Sequence, residues 1–317
     1  LLLTAAAFEP QAAGKYSSNY LQLTIHDSRC LILQPVNIEN YYPKHPVLQQ
    51  HVAFFYLLKA ESPDFNTTYY AFPNINVPLS IHKSAVCEIR KNYTGVYANN
   101  NGTPLALIQR SYQAPLLINL KGPVNKLTIV FKPMGINRFI SQPFSVIAAE
   151  DSQVFTDWYQ QARYHTFEQR FFATDDVTEQ QALLEDFLLA VYNTNSDYET
   201  VDKAIALLTD FSEEHSIEAI AEKLELTVRS FNRLFDKHMS ISPVAYKKIA
   251  RFRHSLQNKL FSERFKKLTE IGYASNFYDQ AYFIKVYNKL TGSNPSAFFN
   301  SIEKLADEKL IFKFVKE

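Results

Sequence analysis

Two segments in the last third of the sequence carry polar side chains of related chemistry at related positions. The first holds Thr227, Arg229, Ser230, Asn232 and Arg233; the second holds Tyr278, Gln280, Ala281, Ile284 and Lys285. Arg, Asn and Gln end in planar groups that offer hydrogen bonds side by side, the geometry that reads base edges in the major groove of duplex DNA. A basic stripe runs through the same region. Between Arg229 and Lys267 stand eleven Lys and Arg residues, among them Lys247 and Arg251, opposed only by Asp236 and Glu263. The stripe is hidden in a chain whose formal net charge is only +1, and its natural partner is a phosphate backbone, with a solvated helix face as the plain alternative.

Such side chains need helices to aim them, and the pattern supplies two copies of one module. Ile220, Ala221, Glu225, Leu226, Phe231, Arg233, Phe235, Pro243 and Tyr246 are echoed by Ile271, Gly272, Asn276, Phe277, Phe283, Lys285, Tyr287, Pro295 and Phe298. The offset is 51 before the turn and 52 after it, so one residue is added at the turn. Each copy reads as a helix-turn-helix. Ala221 and Gly272 are small where two helices cross. Asn276 suits a turn position with positive φ, and Glu225 suits it less well. The second helix of each pair buries Phe231, Leu234 and Phe235, or Tyr282, Phe283, Val286 and Tyr287, and leaves the polar face free. Asp279 is expected to cap the second of these helices, with Gln280 facing the bases. Lys247 and Arg251 are expected on the general basic surface. Pro243 to Phe261 reads as a long helix joining the two units.

The run from Ile220 to Phe298 resembles the DNA-binding domain of AraC-type transcription regulators. The most specific stretch is Ile271-Gly-Tyr-Ala-Ser-Asn-Phe-Tyr-Asp-Gln-Ala-Tyr-Phe283, followed by Lys285, Tyr287-Asn-Lys-Leu-Thr-Gly292 and Asn294-Pro-Ser-Ala-Phe298. Three positions depart from the family pattern: Asn276 stands where Gly is usual, Gly272 where Ala is usual and Lys285 where Arg is usual. The last exchanges a bidentate fork for a point charge, which holds phosphate more readily than it reads a base. The resemblance implies two recognition helices entering adjacent major grooves, with centres about 34 Å apart.

The first half has a different grammar. Leu21–Ile25, Cys30–Leu33, Val52–Leu58, Leu105–Gln109 and Leu127–Phe131 read as short strands divided by turn residues, the pattern of a barrel or sandwich. Pro35 to Tyr56 and Ile129-Val-Phe-Lys-Pro-Met-Gly135 resemble the cupin-like regulatory domain of some bacterial members of the family, which implies a small molecule in the barrel or a partner surface. After Asp151 helical spacing takes over. Asp176 and Glu179 form a capping-box pattern ahead of Leu183, Leu184, Phe187, Leu188 and Val191, a stripe that fits either its own domain or a dimer interface. The expected fold is α+β: a β-rich cupin-like barrel over residues 16–150, a helical connector over 151–198 with a possible role in dimerisation, and a C-terminal all-α domain over 199–317 with two helix-turn-helix units. Leu1 to Lys15 is left outside this division.

Composition excludes several other classes. Apolar residues make up 46% and aromatics 14%, which marks a folded chain rather than a disordered one. Two cysteines, Cys30 and Cys87, are too few for a disulfide scaffold, and a reducing cytoplasm fits. No apolar run is long enough to span a bilayer, and Leu1–Ala7 lacks the basic flank of a signal peptide. His26, His45, His51, His82 and His165 are dispersed, without the clustering that a metal site needs. No nucleophile elbow, phosphate loop or dinucleotide fingerprint occurs. The resulting reading is a cytoplasmic, sequence-specific transcription regulator with double-stranded DNA as its partner, not an enzyme, with no cofactor or metal assigned. Candidate partners besides DNA are a small-molecule effector in the N-terminal domain, RNA polymerase and a second copy of the chain. The rivals are a cupin-type enzyme or a redox- or alkyl-sensing protein fused to a DNA-binding domain, and a regulator whose N-terminal half only dimerises.

Overall fold

A computed structural model of the chain describes residues 37–193, 198–261, 271–272, 275, 277, 279–305 and 310–315. Strand alternation organises the first half. In β2 (Val52–Ala60), β4 (Val77–His82), β7 (Leu105–Gln109) and β9 (Val124–Phe131), successive side chains point to opposite faces. Phe55, Leu79, Ile81, Ala106, Ile108, Leu127, Ile129 and Phe131 enter one core. Phe54, Tyr56, Leu58, Leu105, Leu107, Val124 and Val130 enter another. The sheet that holds these strands is buried on both faces, so the strands read as nearly continuous apolar runs.

With β1 (Asn37–Tyr41) and β10 (Ser152–Val154) these strands form a six-stranded sheet in the order β1-β2-β9-β4-β7-β10. The facing sheet uses β3 (Asn66–Ala71), β5 (Ala85–Arg90), β6 (Tyr93–Ala98) and β8 (Leu116–Lys121). All its pairings are antiparallel except β6 with β8. The expected strands at Val52–Leu58, Leu105–Gln109 and Leu127–Phe131 are present, whereas Leu21–Ile25 and Cys30–Leu33 lie outside the described residues. The turn after β9 depends on Gly135. A Cβ there would sit 2.0 Å from the His51 carbonyl oxygen, and its N–H donates to Lys132 O at 2.8 Å.

Helices cover the outer face of the first sheet. After the short α1 (Pro46–His51) and α2 (Phe144–Ile147) come α3 (Ala162–Phe171) and α4 (Val177–Val191). Asp176 caps α4 by accepting from Glu179 N at 2.9 Å. Leu184, Phe187 and Leu188 are buried against the sheet, with Leu183 and Val191 beside them. The α4 stripe therefore packs on its own domain. Its polar edge is engaged as well: Glu185 accepts from the Lys44 and His45 amides at 2.8 and 2.9 Å, and Gln181 donates to Tyr42 O at 2.9 Å.

The C-terminal part holds α5 (Tyr198–Thr209), α6 (Ile217–Lys223), α7 (Val228–Met239), α8 (Pro243–Phe261), α9 (Gln280–Thr291) and α10 (Pro295–Phe299). Its core includes Phe72 and Met134 from the first half, and Phe72 meets Phe298 edge-on at 4.8 Å. This part is not all-α, contrary to the pattern. Beyond α10, β11 (Glu303–Leu305) and β12 (Leu310–Phe314) extend the second sheet, β12 pairing antiparallel with β3. The physical reason is an open edge at β3 that meets the β-prone run Leu-Ile-Phe-Lys-Phe, with Tyr69 packing on Phe312 at 4.8 Å. No helix among the described residues is long and apolar enough to cross a membrane.

One buried carboxyl gives the fold a pH dependence. Glu168 on α3 is 5% exposed, and its Oε1 finds no hydrogen-bond partner among the described residues. Burial pushes its pKa up to about 7, opposed by the neighbouring His165. Because the folded value lies above the unfolded one, the stabilisation is fully present below about pH 4.5 and is lost as pH rises through 7. The thermal midpoint should therefore fall between pH 5.5 and 8, and Glu168→Gln should flatten that fall and melt a few degrees higher than wild type at pH 8. Parallel pH profiles for the two proteins contradict this account.

Candidate nucleic-acid interface

The first helix-turn-helix is built from α6, a tight turn and α7. Ser216 caps α6 by accepting from Ala219 N, and Thr227 caps α7 by accepting from Ser230 N, both at 3.1 Å. Between them the chain reverses at Glu225, whose φ of 57° is left-handed. The turn closes through Leu226 N donating to Ala221 O at 2.9 Å and Leu224 N to Ile220 O at 3.1 Å. Ala221 is fully buried where the helices cross. Phe231 and Phe235, also fully buried, hold α7 by its inner face. Helix α7 ends at Ser240, which is left-handed with φ 53°.

The second unit repeats these bonds at the expected offsets. Before the turn, Phe277 N donates to Gly272 O at 2.8 Å and Ser275 N to Ile271 O at 3.0 Å, each 51 residues after its counterpart. After the turn the spacing is 52. Asp279 takes the place of Thr227 and caps α9 by accepting from Ala281 N at 2.9 Å, as expected from sequence. Gly292, left-handed at φ 72°, takes the place of Ser240. Asn294 accepts from Ala297 N at 2.9 Å where Ser242 accepts from Ala245 N at 3.3 Å. Asn276 lies outside the described residues.

On α7, Arg229 and Arg233 are exposed and form no ion pair among the described residues. Thr227, Ser230 and Asn232 are engaged locally. Thr227 Oγ1 donates to Ser230 Oγ at 2.9 Å, and Asn232 Nδ2 donates to Val228 O at 2.9 Å. On α9, Gln280, Ala281, Ile284 and Lys285 are all exposed, and Tyr278 lies outside the described residues.

The basic stripe divides into bound and free cations. Lys247 and Arg251 do not lie on an open surface. Their side chains are 14% and 12% exposed, and both pair with Glu214, at 2.9 and 2.7 Å. Burial would raise the Glu214 pKa, yet these two cations hold it below its ordinary value. Arg251 also lies 5.6 Å from the Phe277 ring centre, so the cluster ties α8 to both units. Lys248, which the pattern does not single out, belongs to a different group. Its own burial and then Lys289 and Lys285 lower its pKa. Three like charges are thus gathered where α8 meets α9. The missed signal is the pairing of Lys248 with Lys285 and Lys289, visible only once the two helices are packed together. Of the other helix surfaces, Ile284 and Tyr282 are the large apolar side chains left open on α9, at 37% and 39% exposure; Tyr282, expected on the buried face, is instead turned outward because Phe283, Val286 and Tyr287 already make the i, i+3, i+4 stripe.

Other candidate chemistry stays dispersed. Among the described residues no group of His, Cys, Asp and Glu is arranged to hold a metal ion. His45 caps α1, His51 stacks on Tyr192 at 5.5 Å, and His82 is buried. Cys87 is half-buried and burial raises its pKa, the direction opposite to an activated thiolate. Cys30 and His26 lie outside the described residues.

Residues 220–301 match the family model described as a helix-turn-helix domain, 82 of the 317 residues. The C-terminal region is a helix-turn-helix domain of the AraC type. No curated protein sequence matches the chain significantly. Among solved structures it is similar to ToxT from Vibrio cholerae, at 13% identity over 78% of this chain and 95% of that one, with a TM-score of 0.40. An unsaturated fatty acid bound wild-type ToxT from the same organism matches at 13% identity over 77% and 94%, with a TM-score of 0.41.

Two residues of the first turn make opposite predictions for stability. Glu225→Gly removes a left-handed strain and should stabilise the chain by about 1 kcal/mol, whereas Thr227→Ala loses a cap and should cost about 1 kcal/mol. Urea midpoints at unchanged m-value read both; a Glu225→Gly midpoint below wild type contradicts the strain.

Proposed function

We propose that the chain is a sequence-specific DNA-binding transcription regulator that presents α7 and α9 to adjacent major grooves and is controlled through its N-terminal half. The observation that supports it best is the repetition of one capped, turn-closed frame at a 52-residue spacing, each copy with its inner face buried and its outer face open. Arg229 and Arg233 read bases from α7, and Gln280 does so from α9, where its amide suits the paired donor and acceptor of adenine. Thr227, Ser230 and Asn232 hold the start of α7 in shape and stand beside the first of these contacts. Ala281 and Ile284 are the small and apolar parts of the second contact, and Tyr278 belongs to it by sequence. Lys285 joins Lys248 and Lys289 as a phosphate clamp between the readers. Lys247 and Arg251, drawn onto Glu214, keep the units in register rather than touch DNA. The chain works by binding, in the cytoplasm where its target lies, and no catalytic step is assigned to it.

Fluorescence anisotropy on duplexes enriched from a random pool separates these roles. Arg233→Ala should cost about 1 to 3 kcal/mol on the enriched site and little on unrelated duplex. Lys248→Met should weaken all duplexes alike and reduce the salt slope by about one. Unchanged affinity and salt slope in Arg233→Ala contradict the assignment of α7.

A further inference from the structure

The ring contact and the hydrogen bond that tie α9 to α8 both belong to Tyr287, which packs on Phe252 at 5.1 Å and bonds Ser255 at 2.7 Å. Val286 and Leu290 add apolar burial in the same core, and that attraction has no preferred direction. These contacts fix where α9 sits on α8 more firmly than how it is turned. The far end of α9 meets the N-terminal half. A Cβ on Gly292, the left-handed residue that ends the helix, would touch the Pro115 ring at 3.8 Å. Next comes α10, capped by Asn294, with its Phe298 edge-on to Phe72 at 4.8 Å. Beyond α10 the chain enters the second sheet as β11 and β12.

Strand β12 is engaged on both faces, by two different cores. Its side chains alternate: Ile311, 7% exposed, joins the core of the reader units, while Phe312 and Phe314 pack against the core between the sheets. Tyr69 of β3 meets both rings, Phe312 at 4.8 Å and Phe314 at 6.2 Å. The backbone is paired as well. Phe312, Lys313 and Phe314 stand opposite Ala71, Tyr70 and Tyr69, and Val315 N donates to Thr68 O at 2.9 Å. The helix-turn-helix match ends at residue 301, so this strand lies beyond the module. The first unit closes the same frame and runs straight into α8, which shows that the frame itself needs no strand.

We infer that β12 is a strap that sets the angle of the second reader: paired with β3, it turns α9 to its groove by way of α10, and base preference at the second groove, not the first, depends on that pairing. The strap's role rests on the reading of α7 and α9 as two base readers. Helix α7 has its own ties to the N-terminal half, since Ser240 donates to Ala148 O at 2.7 Å and accepts from Arg110 at 3.3 Å. Each reader is thus oriented by a different part of that half, and a shift of β3 is delivered to α9 alone.

Base-by-base binding profiles of the full chain, on duplexes selected by wild type, test this. Phe312→Ser with Phe314→Ser takes the apolar anchors from the strap, and Val315→Pro removes one ladder hydrogen bond while leaving both cores apolar. Tyr70→Cys with Lys313→Cys puts two thiols on directly opposed residues, where an oxidant can close the strap covalently. The double serine variant should lose about tenfold of its discrimination at the second cluster of bases, the worth of one well-placed base contact. Val315→Pro should lose about threefold there, in line with one hydrogen bond. Both should keep the first cluster unchanged. Oxidising the cysteine pair in the double serine background should restore the second cluster, and reduction should remove it again. Full discrimination at the second cluster in the opened chains overturns the strap, as does equal loss at both clusters in a chain that still melts cooperatively, or a second cluster that oxidation fails to restore. Should the double serine variant not fold, Val315→Pro decides by the same criteria. Wild type separates the two claims: two clusters that both survive opening sink the strap alone, whereas no sequence selected by wild type sinks the regulator reading.

Discussion

One helix holds both readers. Tyr246, Ile249, Phe252 and Leu256 are at most 1% exposed along α8, a stripe at helical spacing whose burial contributes about 1.5 to 3 kcal/mol per large side chain. Tyr246 packs edge-on against Phe235 of α7 at 5.3 Å, and Phe252 packs on Tyr287 of α9 at 5.1 Å. Ser255 and Tyr287 share a buried hydrogen bond of 2.7 Å. The relative placement of α7 and α9 is therefore fixed by packing on one rigid rod, not by the chain that runs between them. The positions of Lys248 and of the Glu214 cluster follow from the same rod.

The helices packed on that rod are also anchored to the first half of the chain. Asn137 donates to His238 O at 3.0 Å, and Tyr198 donates to Asn137 O at 2.7 Å. Ser240, the left-handed cap of α7, donates to Ala148 O at 2.7 Å and accepts from Arg110 at 3.3 Å. Phe72 and Met134 enter the core of the reader units, and β12 is a strand of the second sheet. The expected boundary at residue 199 falls inside α5, with helices before and after it, and packing and hydrogen bonds cross it. A change in the sheets thus has a direct mechanical route to α7 and α8, without any need for a separate linker signal.

Much of the reader geometry was legible in the sequence because the constraints are local. The 51 and 52 offsets place the extra residue between Phe277 and Asp279, and Pro243 marks the start of α8. Asp176 and Asp279 are caps by type and position. Other features depended on distant partners. The α4 stripe looks the same whether its own sheet or a second chain covers it. Lys247 and Arg251 read as open surface because Glu214, which pairs with both, lies outside any helical spacing from α8. Glu225 takes the left-handed φ that the repeat assigned to this turn, although its residue type disfavours it, because the bonds from Leu224 and Leu226 on either side of it close the turn. The β12 run was masked by the helical grammar before it, and its role depends on an edge strand more than two hundred residues earlier.

The central claim is that two readers on one rod address one face of duplex DNA. Selection of bound sequences from a random duplex pool, followed by base-by-base footprinting of the full chain on the winners, tests it most directly. The account predicts two short clusters of preferred bases in successive major grooves, about 10 to 10.5 base pairs from centre to centre, with protection confined to one face. A single cluster, clusters at a spacing that puts them on opposite faces, or enrichment of no sequence at all would contradict it.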